Sequence, residues 1–334
     1  SRNMVEKMSI KLISEMTGIS YATVARALSG NGYCSKEKRD IIAKAAEEIH
    51  YHPNLSARTL RNNRTEKILL GIPDICNAFY FRMIEGITEE LDKVGYYPII
   101  FNTRHLLDKE LKLIDLLSQR YADGLIFVSF NFTEENIGAI RRTNLPVVLT
   151  NRYEGIRRDD NFDFVYSDHT AGMEKLTEYI LGCGCKDILL LAGNESEQTS
   201  LERVQGYKNI LQKHNIPVRE EYILNGEFRT EPAHDAFGAF MQSGRPVDAV
   251  ITANELMFMG VMRYMTEHHI DLNAFRMASF DNTDFSRNLS VTSLDLKQDE
   301  IGRNAVRLLM ERIDGKRTES KQVYLMPELI VRKT

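Results

Sequence analysis

From Lys67 onward, short apolar runs alternate with amphipathic stretches, and this alternation restricts the fold more than any other feature of the chain. Runs at 68–72, 98–101, 124–130, 147–150, 164–166, 187–192, 247–252 and 277–280 have the length and apolar density of buried strands. Between them, residues 81–94, 109–117, 171–181, 201–214 and 255–268 repeat apolar side chains at helical spacing. Strands alternating with helices build parallel sheets covered on both faces. More than ten such elements in about 265 residues exceed one small domain, so two doubly wound parallel-sheet lobes are expected. Ligands in such folds sit beyond the carboxyl ends of the strands. The sequence carries no internal repeat and no low-complexity segment.

Composition narrows the class. With 334 residues, 43% hydrophobic and 27% charged, the chain reads as a globular protein of two or three units. No apolar run approaches the roughly 18 residues of a membrane span, and residues 1–20 lack a secretory pattern, so a cytoplasmic protein is expected. Ser1-Arg2-Asn3, ahead of Met4, reads as a cloning remnant. Cys34, Cys76, Cys183 and Cys185 fit no disulfide framework, and the one-residue gap of the last two is not a zinc spacing. No metal and no cofactor are expected. Residues 1–67 hold twelve basic and seven acidic side chains against 31 and 40 in the remainder. A basic head on an acidic body suggests a polyanion-binding end.

The head reads as three helices. Ile10, Ile13 and Met16 recur at helical spacing, Thr17-Gly18-Ile19 interrupts, and Ser20 caps a second helix from Tyr21 to Leu28. Gly30 and Gly32 end that helix, Ser35 opens a third, and Pro53 closes the unit. Two helices joined by a glycine turn form a helix-turn-helix candidate, with a plain three-helix bundle as the alternative. A recognition helix presents its first turns to base edges. Ser20, Tyr21, Ala22, Thr23 and Arg26 are therefore the candidate readers, with Ser35 beside them.

Gly18-Ile19-Ser20, Thr23-Val24-Ala25-Arg26 and Tyr51-His52-Pro53-Asn54 stand at spacings that resemble the head of the lactose repressor family (LacI/GalR). The resemblance runs nearly end to end, from Ile10 to about Leu329. The chain departs from the family at Leu12-Ile13-Ser14, where Asp-Val-Ala is common, and at Ala22, where a longer side chain usually reads bases. Ala22 can still touch a thymine methyl.

The resemblance implies a sequence-specific DNA-binding transcription regulator, a repressor, bound to double-stranded palindromic operator DNA. It divides the chain into a DNA-binding domain at 8–52, a hinge helix or linker at 53–65 and an effector-binding and dimerisation domain at 66–334. Lobe 1 then takes 66–165 and 296–323, and lobe 2 takes 166–295 and 324–334. Residues 53–65 carry three arginines and little apolar mass, and read by themselves they are a solvated basic tether. The family resemblance makes them a hinge helix that enters the minor groove, with Leu60 as the wedge between base steps and Asn54, Ala57 and Arg58 beside it.

In the body, polar residues follow predicted strands: Asn151-Arg152 after 147–150, Asp168 after 164–166, Asn254 after 250–252 and Asp281 after 277–280. By resemblance, Asn151, Arg203, Asn254 and Asp281 take the family's effector positions, with Phe79, Tyr80 and Phe228 as aromatic platforms. This set favours a carbohydrate effector over a purine, because hydroxyls both donate to and accept from planar polar groups. A purine or nucleoside, or a protein co-repressor, is the alternative. The resemblance also implies a homodimer along helices near 81–91 and 233–240, and the absence of a heptad tail before Thr334 argues against tetramers. An enzyme is disfavoured by the lack of a phosphate-binding glycine loop and of a nucleophile elbow. A periplasmic binding protein is disfavoured by the helix-turn-helix.

Overall fold

The protein is described by a computed structural model covering residues 2–30, 32–52 and 63–334. It divides into two compact units, Ser1–Glu66 and Lys67–Thr334. The first holds α1 (Arg2–Thr17), α2 (Tyr21–Ser29) and α3 (Lys36–Glu48). Gly18 sits at φ 68°, in the left-handed region where a side chain would be strained. Beside it the Ile19 amide donates to Thr17 Oγ1 at 3.3 Å, closing the turn. Ser20 and Ser35 cap α2 and α3 by accepting from the amides of Thr23 and Lys38, each at 3.4 Å. Ile13, Val24, Cys34, Ile42, Ala45 and Ala46 make a small core among the three helices. α1 starts well ahead of residue 8, because no Pro or Gly interrupts Arg2–Thr17.

The second unit continues through β1 (Lys67–Ile72), α4 (Phe81–Val94), β2 (Tyr97–Asn102), α5 (Leu107–Ser118), β3 (Gly124–Phe127), α6 (Glu134–Thr143), β4 (Val147–Leu149) and β5 (Phe162–Ser167). Then come α7 (His169–Gly182), β6 (Ile188–Ala192), α8 (Gln198–Lys213), β7 (Ile223–Asn225), α9 (Thr230–Gln242), β8 (Ala249–Thr252), α10 (Glu255–Glu267), β9 (Arg276–Phe280), α11 (Asp284–Asn288) and β10 (Thr292–Asp295). α12 (Gln298–Ile313), β11 (Gln322–Leu325) and β12 (Glu328–Ile330) complete it.

These strands form two six-stranded sheets, ordered β11-β5-β4-β3-β1-β2 and β12-β10-β9-β8-β6-β7. The first five strands of each lobe follow the same order without any repeat in sequence, since apolar patterning rather than residue identity specifies the sheet. Pairing is parallel except for β12 against β10, so the second lobe carries one antiparallel edge strand instead of being wholly parallel as expected. Only Met326 and Pro327 separate β12 from β11, leaving no room for a crossover helix.

The chain passes between lobes three times, after Ser167, Asp295 and Leu325. The first and third passages come two residues later than the sequence division, because β5 and β11 continue their pairing to Ser167 and Leu325. Alternation along β1 feeds two cores, with Ile68, Leu70 and Ile72 on the α4–α12 face and Leu69 on the α5–α6 face. α4 and α12 meet at glycines: a Cβ on Gly86 would lie 2.3 Å from the Asp299 carbonyl oxygen. Among the described residues no helix is long and apolar enough to cross a membrane.

Candidate DNA-reading helix and effector cleft

In the head, α2 buries Val24 completely and turns Tyr21, Ala22 and Arg26 outward. Ser20, Thr23 and Arg26 form one polar row. The two hydroxyls are 2.8 Å apart, and Arg26 Nη2 donates to Thr23 Oγ1 at 3.3 Å while its Nε donates to the Ala22 carbonyl. The guanidinium is thus held over the first turn of α2, the turn a recognition helix offers to base edges. Ser35 is committed to capping α3. Tyr33, 89% exposed in the loop before it, has no periodic signal and was not singled out from sequence. Asn54, Ala57, Arg58 and Leu60 lie outside the described residues.

In the body, loops after β1, β2 and β3 of one lobe face loops after β6, β7, β8 and β9 of the other across a cavity of about 660 Å³. This is the size of a small-molecule site, placed at the carboxyl ends of the strands. Of the nine expected effector residues, Phe79, Tyr80, Arg203, Phe228, Asn254 and Asp281 line it. Asn151 stands at a side cavity of about 30 Å³ behind, and its amide donates to the Ser129 carbonyl at 2.7 Å. Arg152 and Asp168 line neither cavity, contrary to expectation. Asp168 is turned inward to cap α7 through a bond from the Ala171 amide. Arg152 pairs with Glu202 at 2.9 Å and lies over the Tyr166 ring. Both do what strand-end polar residues commonly do, which is to satisfy a helix terminus or a neighbouring charge.

Sequence reasoning missed Asp74, Asn102, Arg104, His105, Phe130, Asn194, Glu197 and Thr199, which also line the cavity. Most follow β1, β2, β3 or β6, so the rule that found Asn254 would have found them. Phe130 and Phe228 face each other from opposite lobes, ring centroids 6.3 Å apart and inclined by 26°, and His105 stacks on Phe130 with centroids 5.1 Å apart.

Arg203 organises the polar wall. It is 6% exposed, packs its guanidinium 4.3 Å from the Phe280 ring centroid, and donates to the Ala253 carbonyl and to His169 Nδ1. Burial and the arginine charge hold His169 well below its ordinary pKa, which keeps the imidazole neutral and able to accept. Asp281, 2% exposed with φ 78°, accepts from the Glu255 amide through Oδ2, while Oδ1 has no partner. Burial pushes its pKa up to about 6 against the opposing pull of Arg203. Asn254 spends both ends of its amide internally, capping α10 and donating to the Phe228 carbonyl. It therefore positions Phe228.

The family model described as "Bacterial regulatory proteins, lacI family" matches residues 9–54, and "Periplasmic binding proteins and sugar binding domain of LacI family" matches 65–333. The chain is 24% identical over 330 residues to the HTH-type transcriptional repressor PurR of Histophilus somni (strain 2336), covering 98% of both. It is 27% identical over 317 residues to Catabolite control protein A of Priestia megaterium, covering 94% of this chain and 95% of that one. Among solved structures, the lac repressor dimer bound to operator and the anti-inducer ONPF superposes with TM-score 0.82 at 21% identity, over 96% of this chain and 97% of that one, a likeness of fold. With both models matched and together spanning nearly all of it, the chain belongs to the LacI family of bacterial regulatory proteins, and is a DNA-binding transcriptional regulator with a ligand-binding domain and not an enzyme.

Proposed function

We propose that this regulator is a repressor, that it binds a palindromic operator as a homodimer, and that a carbohydrate in the cleft sets its operator affinity. The observation that carries the reading is the cavity itself: two lobes contribute facing aromatic rings, with the buried side chains of Arg203 and Asp281 at the same concave site. Flat rings with fixed polar groups beside them suit a hydroxylated ring. The homodimer reading is supported by apolar side chains left exposed on α4 and the β2 edge, including Phe81, Tyr97 and Ile100. The apolar residues of the other expected dimer helix, Ala233, Phe237 and Phe240, are spent on the core of the second lobe. Tyr21, Ala22 and Arg26 would read bases in the major groove, and Leu60 would wedge into the minor groove at the operator centre.

The test is a fluorescence-anisotropy titration of a labelled palindromic operator, repeated with a panel of sugars, sugar phosphates and nucleobases. A compound that binds the body must change operator affinity, and operator must change its affinity by the same factor. A nucleobase that does so while every sugar fails would replace the carbohydrate. Binding without mutual effect would overturn the regulatory reading.

A further inference from the structure

The cleft leaves buried acceptors unmet, two of them carboxylate oxygens. Asp281 Oδ1, Glu197 Oε2, Asn102 Oδ1 and Thr199 Oγ1 are all buried without a hydrogen-bond partner, and all four residues line the cavity. Asp281 and Thr199 are 2% and 3% exposed, so bulk water does not satisfy them. Several donors of the lining are spent inside the protein, while the Arg104 guanidinium is exposed. Arg203 is engaged with Ala253 and His169, Arg229 with Glu227, and the Asn254 amide with Phe228.

Charge points the same way. The Tyr80 hydroxyl lies in the combined field of Asp281, Asp74 and Glu197, with Arg203 as the opposing charge. With Arg229 and Glu227 paired to each other, the carboxylates of Asp74, Glu197 and Asp281 stand against the guanidinium groups of Arg203 and Arg104, which leaves an excess of one negative charge on the cavity lining. Burial raises the proton affinity of Glu197 and Asp281, as expected of carboxylates lacking a full counter-charge.

From these unmet acceptors and this charge excess we infer that the ligand of the cleft is a hydroxylated amine, an amino sugar in chemical class, whose ammonium sits among Asp74, Glu197 and Asp281. An ammonium brings three donors and a positive charge to these acceptors, whereas each neutral hydroxyl brings one donor and no charge. A phosphate or carboxylate placed among Asp74, Glu197 and Asp281 would meet like charge. The inference rests on the reading of this cavity as the effector site and narrows it.

The experiment is isothermal titration of the full-length protein at pH 7.5 with glucosamine, galactosamine and mannosamine, each beside its parent hexose and its N-acetyl derivative. Acetylation removes the charge and keeps the ring. The expected result is at least tenfold tighter binding of one amine than of both neutral partners, with the preference lost in Glu197→Gln. A hexose that binds as well as its amine, or a sugar phosphate that binds better, overturns the inference and leaves the carbohydrate reading standing. If no sugar of any kind binds or alters operator affinity, both fall. A ligand-free measurement gives a second check. Glu197→Gln relieves charge excess without breaking a bond, so the apo melting temperature should rise; a fall overturns the inference.

Discussion

Arg152 and Glu202 form an ion pair of 2.9 Å that joins the two lobes, from the loop after β4 to the second turn of α8. The second oxygen of Glu202 accepts from the Tyr166 hydroxyl at 2.8 Å, and Glu202 immediately precedes Arg203. A residue expected to touch ligand is thus part of a clasp one position away from the cavity wall. Because the Arg152 side chain is 36% exposed, solvent screening limits the pair to about 1 kcal/mol. Glu202→Gln should loosen the lobes and weaken effector binding about fivefold. Small-angle scattering should show a larger radius of gyration without ligand; an unchanged radius and affinity would reduce the clasp to a surface contact.

Arg26 is exposed and contributes nothing to the head core, so its removal separates reading from folding. Arg26→Ala should cost about 1–3 kcal/mol of operator affinity, roughly 5- to 150-fold, with the helical circular dichroism unchanged. Equal losses on operator and on random DNA would assign Arg26 to phosphate contact instead.

Asp281 and Glu255 should contribute less stability at neutral pH than in mild acid when no ligand is bound. Burial raises Asp281 from an ordinary 3.8 to about 6 and Glu255 from 4.5 to about 7, so the folded state holds protons that the unfolded state releases. Stability from these groups is complete below about pH 4 and is lost as pH rises through 6 and 7. With each tenfold displacement of a proton equilibrium worth about 1.4 kcal/mol, the combined effect reaches a few kcal/mol. Melting curves at pH 5 and 7.5 should differ less in Asp281→Asn than in the native chain; equal slopes in the two would refute the assignment.

Asp163 on β5 is fully buried and accepts from Arg312 at 2.9 and 3.0 Å and from Arg317 at 2.7 and 2.9 Å. Removing it leaves the buried Arg312 guanidinium, on α12, with backbone carbonyls and no counter-charge, while Arg317 keeps Glu311. Asp163→Ala should lower the unfolding free energy by about 3–5 kcal/mol in urea titration. A loss under 1 kcal/mol would show that water reaches the arginines without cost.

What the sequence determined by itself was everything set by local or periodic chemistry. Ser20 and Gly30 bounded α2 because a capping hydroxyl and a left-handed glycine act within one turn. The apolar runs of β1, β3, β6, β8 and β9 were legible because strands buried on both faces are continuously hydrophobic. β7, β10, β11 and β12 offer no such run: each is three or four residues long and includes a polar or charged side chain, so pairing with a neighbouring strand defines them. The cleft divides the same way. The strand-end rule reached Asn254 and Asp281 and the family resemblance reached Arg203, but only the tertiary structure set Glu197, Thr199 and Asn102 beside them and turned Asp168 and Arg152 to other work. Which polar residue meets a ligand and which caps a helix depends on where two lobes, crossed three times by the chain, bring their loops together, and no local signal encodes that distance.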